Sequence, residues 1–232
     1  MMRRVGVLGG TFDPIHLGHL DALDAARAAL ALDEVLLVPS HHPPHRPASP
    51  RASAFHRFAM VALAIDGRTG CRVSDLELTR SGPSYTIDTL RTLHEQGWQP
   101  SQIFFIIGTD AFADIATWKA FPDVLDAAHF AVIARPGTTL DEATARTPAL
   151  RRRVVTGPGA VPPAPSTCVV LIEAATRDIA STAVRSRLGD GHDIDGIVSP
   201  AVARHVVANN LYTAVDDLHG EENGRTHTHN RH

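Results

Sequence analysis

Two histidines three residues apart follow a glycine-rich turn near the start of the chain. Residues 9–20 read GGTFDPIHLGHL, so Gly9 and Gly10 are followed by His16, Gly18 and His19. Residues three apart share a helix face, which would place both imidazoles on one side of a first helical turn. Free N–H groups at a helix start attract anions, and an imidazole N–H can donate to a phosphate oxygen. The pattern predicts a phosphate-binding turn.

Other interpretations of this turn are weaker or stay open. The run is not GxGxxG. It is also not a P-loop (GxxxxGK[ST]), because position 16 is His and no lysine follows it. A zinc site would need a third ligand, and none is adjacent. Taken alone, the histidine pair is equally typical of surface residues after an ordinary turn. The position of the turn directly after a buried strand favours the phosphate site.

Three further places carry residue types that suit a nucleotide. Ser181 and Thr182 open a predicted helix, where hydroxyls act as N-caps or bind an anion that Arg185, one turn on, would also reach. Asp110 follows an apolar strand, which suits either a ribose hydroxyl or a helix N-cap. Trp118 is either a core residue or a stacking surface.

These residues lie within an alternation of strands and helices. Strands are predicted at residues 5–9, 35–39, 71–78, 103–107, 130–134 and 167–172, and helices at 17–30, 52–65, 86–96, 110–119, 121–127, 149–153, 181–188 and 200–209. The alternation predicts an α/β fold with a Rossmann-like, doubly wound parallel sheet, whose ligands bind beyond the carboxyl ends of the strands. The helix at 52–65 is expected to bury Phe55, Phe58, Ala59, Ala62 and Leu63.

Composition narrows the class of protein. The 232 residues are 44% apolar and 20% charged, with a formal net charge of −3, which is ordinary for soluble globular proteins. No apolar run approaches the length of a membrane span, and the near-neutral charge argues against a protein that coats nucleic acid. The two cysteines form neither a disulfide framework nor a zinc motif. We expect a cytoplasmic protein without membrane or nucleic-acid partners; a homo-oligomer is compatible with the sequence.

One domain is expected over residues 1–213, with a small helical part at about 179–213. A disordered, His-rich tail is expected at 214–232, where the apolar content falls. Many of the 14 histidines belong to no recognisable group of functional residues in the sequence, so their number does not indicate a metal protein.

Six segments in order along the chain resemble the HxGH nucleotidyltransferases and, among these, the bacterial nicotinate-nucleotide adenylyltransferases. They are GGTFDPIHLGH at 9–19, PPHR at 43–46, PSYTIDTL at 83–90, IGTDAF at 107–112 with Trp118, VIARPG at 132–137, and IASTAVR at 179–185. The resemblance covers about residues 3–213. Ala180 replaces the first serine that is usual in the last segment, and Arg46 stands where the family often has lysine.

The resemblance implies transfer of the adenylyl group of ATP to nicotinate mononucleotide in NAD biosynthesis. The products would be nicotinate adenine dinucleotide and pyrophosphate, formed by in-line attack without a covalent intermediate. His16, His19 and Arg185 are expected to be catalytic, with His19 nearest the transferring phosphorus, and Arg46 and Arg185 would hold the β and γ phosphates. Mg²⁺ is expected to bind through the ATP phosphates, with no metal ligands from the protein.

The resemblance also assigns binding residues. Trp118 is expected to stack on the pyridine ring, and the helix start at Thr86 to receive the pyridine carboxylate. The expected ATP-binding residues are Gly9, Gly10, Thr11, Phe12, His16, Gly18, His19, Gly108, Asp110, Ser181, Thr182 and Arg185. The expected mononucleotide-binding residues are Thr11, His45, Arg46, Ser84, Tyr85, Thr86, Asp110, Trp118 and Arg135. HxGH transferases for pantetheine phosphate or glycerol phosphate, and a non-catalytic nucleotide sensor, are the alternatives.

Overall fold

Strands and helices alternate along the chain. The computed structural model describes residues 2–43, 49–134, 147 and 150–213. The strands are β1 (Val5–Gly10), β2 (Glu34–Pro39), β3 (Cys71–Val73), β4 (Ile103–Gly108), β5 (His129–Ala134), β6 (Val154–Thr156) and β7 (Val169–Glu173). The helices are α1 (Leu17–Leu30), α2 (Ala54–Ala64), α3 (Thr86–Glu95), α4 (Thr109–Ala113), α5 (Ser181–Gly189) and α6 (Pro200–Ala208). Short 3₁₀ helices lie at Pro100–Gln102, Ile115–Thr117, Asp123–Asp126 and Pro158–Ala160.

The seven strands found in the described residues form one parallel sheet in the order β3-β2-β1-β4-β5-β7-β6. Val7 of β1 pairs with Leu36 of β2 on one side and Phe105 of β4 on the other. The order of strands therefore reverses between β1 and β4. Such a reversal opens a crevice beyond the carboxyl ends of the two strands. Gly10 is the last residue of β1 and Gly108 is the last residue of β4, so both lie at this crevice.

Apolar side chains pack on both faces of the sheet, as expected of a doubly wound fold. On one face, α1, α2, α5 and α6 cover strand residues such as Phe104 and Ile106. On the other face, α3 and α4 cover Phe105 and Ile107. Neighbouring residues of β4 thus point to opposite layers, and both layers hold β4 rigidly under the crevice.

Most of the predicted strands and the longer helices are confirmed, within a few residues at their ends. The helix predicted at 110–119 ends at Ala113 and is followed by a 3₁₀ helix, and the stretch 121–127 contains a 3₁₀ helix at Asp123–Asp126. The strand expected at 71–78 is wrong in length, because only Cys71–Val73 pairs with β2 and a turn follows. The strand Val154–Thr156 was not predicted. The helix expected at 149–153 and the tail at 214–232 lie partly or wholly outside the described residues, so the domain boundaries stay predictions. No described helix has the length and apolar character needed to cross a bilayer.

The buried face of α2 differs from the predicted one. Its buried residues are Arg57, Met60, Val61 and Ala64, whereas Phe55 is 86% exposed. The reason is the Arg57 side chain, which donates from Nη1 to the backbone carbonyls of Thr11 and Ser40, both at 2.7 Å. These bonds turn the arginine side of α2 inward and connect the helix to the turn after β1.

Candidate functional site

A cleft of about 610 Å³ lies beyond the carboxyl ends of β1 and β4. Its walls come from the turn after β1 and the starts of α1, α3 and α5, together with the segment that follows β4. The residues expected from the sequence that line it are Gly9, Gly10, Thr11, Phe12, His16, Gly18, His19, Ser84, Thr86, Gly108, Asp110, Trp118, Ser181 and Thr182. The fold thus brings together residues from four distant parts of the chain.

The two histidines stack against each other at the start of α1. Their ring centroids are 3.7 Å apart and the ring planes differ by 27°. The backbone N–H of His16, the N-cap residue, donates to Nδ1 of His19 at 3.2 Å. Because Nδ1 accepts this bond, a neutral His19 ring carries its proton on Nε2. The turn therefore fixes both the orientation and the tautomer of a histidine that lines the cleft.

His16 is buried, with 6% of its surface exposed. Burial lowers the pKa of His16 from 6.5 to about 4, although the nearby Asp21 carboxylate acts in the opposite direction. Its Nδ1 atom is buried and has no hydrogen-bond partner in the part of the chain that the structure describes. His16 is therefore neutral at neutral pH, and it can offer hydrogen bonds without a positive charge.

Close packing around Gly18 explains why no side chain stands between the histidines. A Cβ atom on Gly18 would lie 2.9 Å from the carbonyl oxygen of Arg177 and 3.2 Å from Nδ1 of His16. Gly10 is confined in a similar way, since a Cβ there would lie 3.0 Å from the Phe12 ring. The turn is compact because both positions lack a side chain.

The start of α5 meets the start of α1 in the cleft. The Ser181 hydroxyl donates to the carbonyl oxygen of Pro14 at 3.0 Å, which connects the helix to the turn after β1. Ser181 and Thr182 line the cleft together with His16 and His19. Neither helix has an acidic residue in its first turn. The backbone N–H of Leu17 at the start of α1 donates to the carbonyl oxygen of Ile197 at 2.9 Å. Two positive helix ends nevertheless face one space, which is a favourable place for a phosphate chain.

Arg185 lies behind the cleft wall and is not among the residues that line it. Its Nη1 atom donates to the carbonyl oxygen of Asp13 at 2.7 Å and lies 3.8 Å from the carboxylate of that residue. The same carboxylate accepts hydrogen bonds from the Tyr212 hydroxyl at 2.8 Å and from the backbone N–H groups of Arg51 and Ala52. Burial, followed by Asp13, raises the pKa of the Tyr212 phenol. This buried cluster joins the turn after β1 to α5 and to the end of the described chain.

Trp118 forms the opposite part of the cleft. Its ring meets Phe105 edge-on with 6.0 Å between centroids, and Phe130 at 6.4 Å. These contacts hold the indole in place while it also lines the cleft, so the core and stacking interpretations are both compatible with its position. Thr86 is the first residue of α3, and free N–H groups at a helix start suit a carboxylate.

Asp110 is exposed in the first turn of α4, directly after β4. The N-cap of α4 is Gly108, so the N-cap role considered for Asp110 is wrong. Tyr85 lies beside the cleft and is not among its lining residues. The Nζ atom of Lys119 lies 4.4 Å from the centroid of the Tyr85 ring and donates to Asp88 at 2.8 Å. Tyr85 thus packs under a cation instead of facing the site.

Comparisons with known proteins show to which family the chain belongs. The model of the cytidylyltransferase-like family matches residues 7–187. A protein of Roseiflexus, named as a probable nicotinate-nucleotide adenylyltransferase, is 38% identical over 208 residues, which are 90% of this chain and 97% of the relative. The chain belongs to the nicotinate-nucleotide adenylyltransferase family. Membership makes it a nucleotidyltransferase, as the HxGH turn indicated.

Further relatives and solved structures agree with this assignment. A protein of the same name from Chromohalobacter salexigens is 39% identical, covering 90% of this chain and 95% of the relative. The Plasmodium falciparum nicotinic acid mononucleotide adenylyltransferase, solved in complex with NaAD, has a TM-score of 0.68 at 21% identity and covers 91% of this chain and 98% of its own. A second structure of that protein, in complex with APC, has a TM-score of 0.67 at 22% identity, with the same two coverages. At these identities, the structural likeness supports the fold of the family.

Three residues expected from the resemblance to the adenylyltransferase family lie outside the described residues, namely His45, Arg46 and Arg135. Other residues line the cleft without having been expected, among them Ser40, Glu77 and Arg177. Arg177 follows the end of β7, so the rule that ligands bind beyond strand ends pointed to its region. Glu77 lies in the turn that replaces the longer predicted strand, and nothing in the sequence distinguished it.

Proposed function

We propose that this cleft transfers the adenylyl group of ATP to nicotinate mononucleotide, releasing pyrophosphate and forming nicotinate adenine dinucleotide. The observation that supports the site most directly is the meeting of the His16–His19 stack with Ser181 and Thr182 in one cleft whose far part contains Trp118 and the start of α3. An anion site and an aromatic platform are what the joining of two nucleotides requires. The family assignment selects this reaction among nucleotidyl transfers.

The reaction needs no side chain to activate the nucleophile. The second pKa of a phosphate monoester is about 6, so the phosphate of the mononucleotide is already dianionic at neutral pH. One of its oxygens forms a bond to the α-phosphorus of ATP, while the bond between that phosphorus and the oxygen that bridges to the β-phosphate breaks. Pyrophosphate leaves with the electron pair. The protein has to align two anions and stabilise the charge that develops on them.

His19 supplies a fixed donor for this charge. Its Nδ1 accepts a hydrogen bond from the His16 N–H, so a neutral ring has its proton on Nε2 and would donate it to a phosphoryl oxygen. The phosphates would lie between the first turns of α1 and α5, where main-chain N–H groups and the hydroxyls of Ser181 and Thr182 add further donors. Arg185 would reach the β and γ phosphates only by leaving its bond to the Asp13 carbonyl, and Arg46 would act with it.

The mononucleotide would occupy the part of the cleft beside Trp118. The indole ring would stack on the pyridine, while the first turn of α3 at Thr86 would receive the carboxylate. Asp110, exposed after β4, would accept hydrogen bonds from a ribose hydroxyl. The preference for the acid over the amide would come from the backbone N–H groups at the start of α3. The first turn of α3 also contains Asp88, whose carboxylate accepts a hydrogen bond from Lys119.

The residues around the phosphate space suit an anion more than a resident cation. The donors there are N–H and hydroxyl groups, and the described residues hold no group of three or more His, Cys, Asp or Glu side chains that would bind a metal. A Mg²⁺ ion would fit as part of the nucleotide, with phosphate oxygens and water as its ligands, and it would neutralise charge on the leaving pyrophosphate. Asp110, which lines the cleft shortly after β4, could contact such an ion through a bridging water.

Steady-state kinetics with ATP and either nicotinate or nicotinamide mononucleotide test the proposal. We expect pyrophosphate release with the acid form and a higher kcat/KM for it than for the amide. His19→Ala should lower kcat by about 10²–10³-fold, as loss of a donor to transition-state charge does, with a much smaller change in KM. The exposed His192 provides a matched control, since His192→Ala should leave both constants unchanged.

Preference for the amide would overturn the specificity, and nucleotide binding without turnover would favour a sensor. Turnover of pantetheine phosphate or glycerol phosphate in place of nicotinate mononucleotide would assign the chain to another branch of the HxGH transferases. An active His19→Ala variant would remove His19 from the mechanism. A cytoplasmic location and the absence of nucleic-acid partners stay predictions from the sequence.

A further inference from the structure

A buried carboxyl group lines the cleft in the turn between β3 and α3. Glu77 is 8% exposed, and it borders the cleft together with Ser84 and Thr86. It belongs to none of the six segments that carry the resemblance to the family. Burial raises the pKa of Glu77, and hydrogen bonds from Thr89 and Ser84 together with the charge of Arg80 act in the opposite direction. Such a group needs partners, and the structure supplies them from α3.

A chain of hydrogen bonds runs from Arg80 through Thr89 to Glu77. Nη2 of Arg80 donates to the Thr89 hydroxyl oxygen at 2.7 Å, and the Thr89 hydroxyl donates to Oε1 of Glu77 at 2.6 Å. The Thr89 oxygen accepts from the arginine, so its single proton is directed to the carboxylate. Arg80 also lies 3.8 Å from Oε1. Thr89 is 1% exposed, so this chain crosses a dry region where hydrogen bonds are strong.

The same region is connected to the loop that follows β2. The backbone N–H of His41 donates to the Ser84 hydroxyl oxygen at 2.9 Å, and the backbone N–H of Ser84 donates to the carbonyl oxygen of His42 at 2.8 Å. A ring nitrogen of His41 lies 3.3 Å from the carbonyl oxygen of Arg80. The residues before α3 and the loop after β2 are thus joined by hydrogen bonds, and Glu77 connects this region to the first half of α3 through Thr89.

We propose that Glu77 is a positioning residue for nicotinate mononucleotide, because it fixes the start of α3 at Thr86 relative to the cleft through Thr89 and Ser84. Thr89 lies one helical turn after Thr86, so the Glu77–Thr89 bond sets the rotation of the first turn of α3. That rotation decides where the free N–H groups of this turn point. The inference rests on the proposed function, in which this turn receives the pyridine carboxylate. Glu77 itself stays paired within the protein and does not contact the substrate.

Kinetics that separate the two substrates distinguish positioning from simple stabilisation of the fold. Thr89→Val removes the hydroxyl at nearly constant volume, and Glu77→Gln removes the charge. In Thr89→Val we expect KM for nicotinate mononucleotide to rise about tenfold or more, the order expected when a hydrogen bond to a charged group is lost. The rise should be smaller in Glu77→Gln, because the amide oxygen can still accept from the Thr89 hydroxyl. KM for ATP should change less than twofold. Thr89→Ser keeps a hydroxyl at this position, so its KM for nicotinate mononucleotide should stay close to the wild-type value.

Exposed Glu95 near the end of α3 provides the matched control, because Glu95→Gln removes the same charge without a buried partner and should behave as the wild type. Equal increases in both KM values, or a lower melting temperature with unchanged KM, would overturn the positioning role. If Glu77→Gln does not fold, Thr89→Val and Thr89→Ser still decide between these outcomes. Wild-type kinetics are measured first. If the wild-type enzyme transfers the adenylyl group of ATP to another acceptor and not to nicotinate mononucleotide, the proposed function is refuted, independently of the variants.

Discussion

A single methyl group at Gly18 should separate activity from stability in this enzyme. Gly18 lies between the two histidines, where a Cβ would meet the Arg177 carbonyl oxygen at 2.9 Å and Nδ1 of His16 at 3.2 Å. Ordinary contacts of a Cβ begin at about 3.4 Å. Gly18→Ala therefore requires a movement of a few tenths of an ångström, either in the backbone at Arg177 or in the first turn of α1.

Both movements disturb the proposed phosphate site. Arg177 leads into the segment that contains Ser181, and the His16 ring supports the stack with His19. Overpacking costs roughly 1–3 kcal/mol, and alanine recovers up to about 1 kcal/mol over glycine in a helix. The expected net loss in the free energy of unfolding is therefore roughly 0–3 kcal/mol. Misplacement of catalytic groups by about 1 Å can reduce rates by about 10²-fold, so smaller shifts should lower kcat/KM by roughly 10-fold to 100-fold.

Pyrophosphate release gives kcat/KM, and urea denaturation gives the free energy of unfolding. Gly189 at the end of α5 is the control, because a Cβ there would have no neighbour within 4 Å. Gly189→Ala should keep full activity. Wild-type kinetics and stability for Gly18→Ala would show that the contacts relax without consequence and that the explanation of this glycine is wrong. Equal losses in both variants would indicate a general effect of alanine.

Two more predictions concern stability. The pKa values of His16 and His129 are each lowered to about 4, mainly by burial, so the unfolded chain binds protons below pH 6.5 that the folded chain does not. The free energy of unfolding should thus fall by about 2 kcal/mol per histidine between pH 7.5 and pH 5, at about 1.4 kcal/mol per pH unit. Urea denaturation at both pH values measures this change, and equal free energies at the two values would contradict the prediction. Tyr212→Phe removes the buried hydrogen bond to Asp13 and should cost about 1–3 kcal/mol, whereas an unchanged melting temperature would show that water replaces the hydroxyl.

The fold and the centre of the cleft were accessible from the sequence because both depend on short-range patterns. Continuous apolar strands predicted a parallel sheet, and the HxGH run predicted a helix start with two histidines on one face. The order of strands then places Gly9 and Gly108 at the same edge, because both lie at the carboxyl ends of the two strands between which the order reverses. The residue types of the turn and the order of the strands together explain why the predicted turn lies at the cleft.

The parts that sequence could not supply depend on long-range polar contacts. The pattern of α2 contains apolar residues all around the helix, and Arg57 was not counted as a core residue, although three backbone carbonyls accept its hydrogen bonds. Arg185 was expected in the cleft. Its hydrogen bond to Asp13 joins residues 172 positions apart in the chain, so no local sequence pattern indicates it. Glu77 was overlooked because a turn took the place of the predicted strand.

The cleft combines anion binding with few full charges. Its described lining includes one arginine, Arg177, and two carboxyl groups, Glu77 and Asp110, and its buried histidine is kept neutral. Besides Arg46 and Arg185, attraction for phosphates would therefore come from oriented dipoles, which are the starts of α1 and α5 and the fixed imidazole of His19. Fixed dipoles need no reorganisation when charge moves from the α-phosphorus to the leaving pyrophosphate. We therefore expect the rigid packing at Gly18 and in the Asp13 cluster to contribute to catalysis, because a dipole stabilises a transition state only while its direction is held.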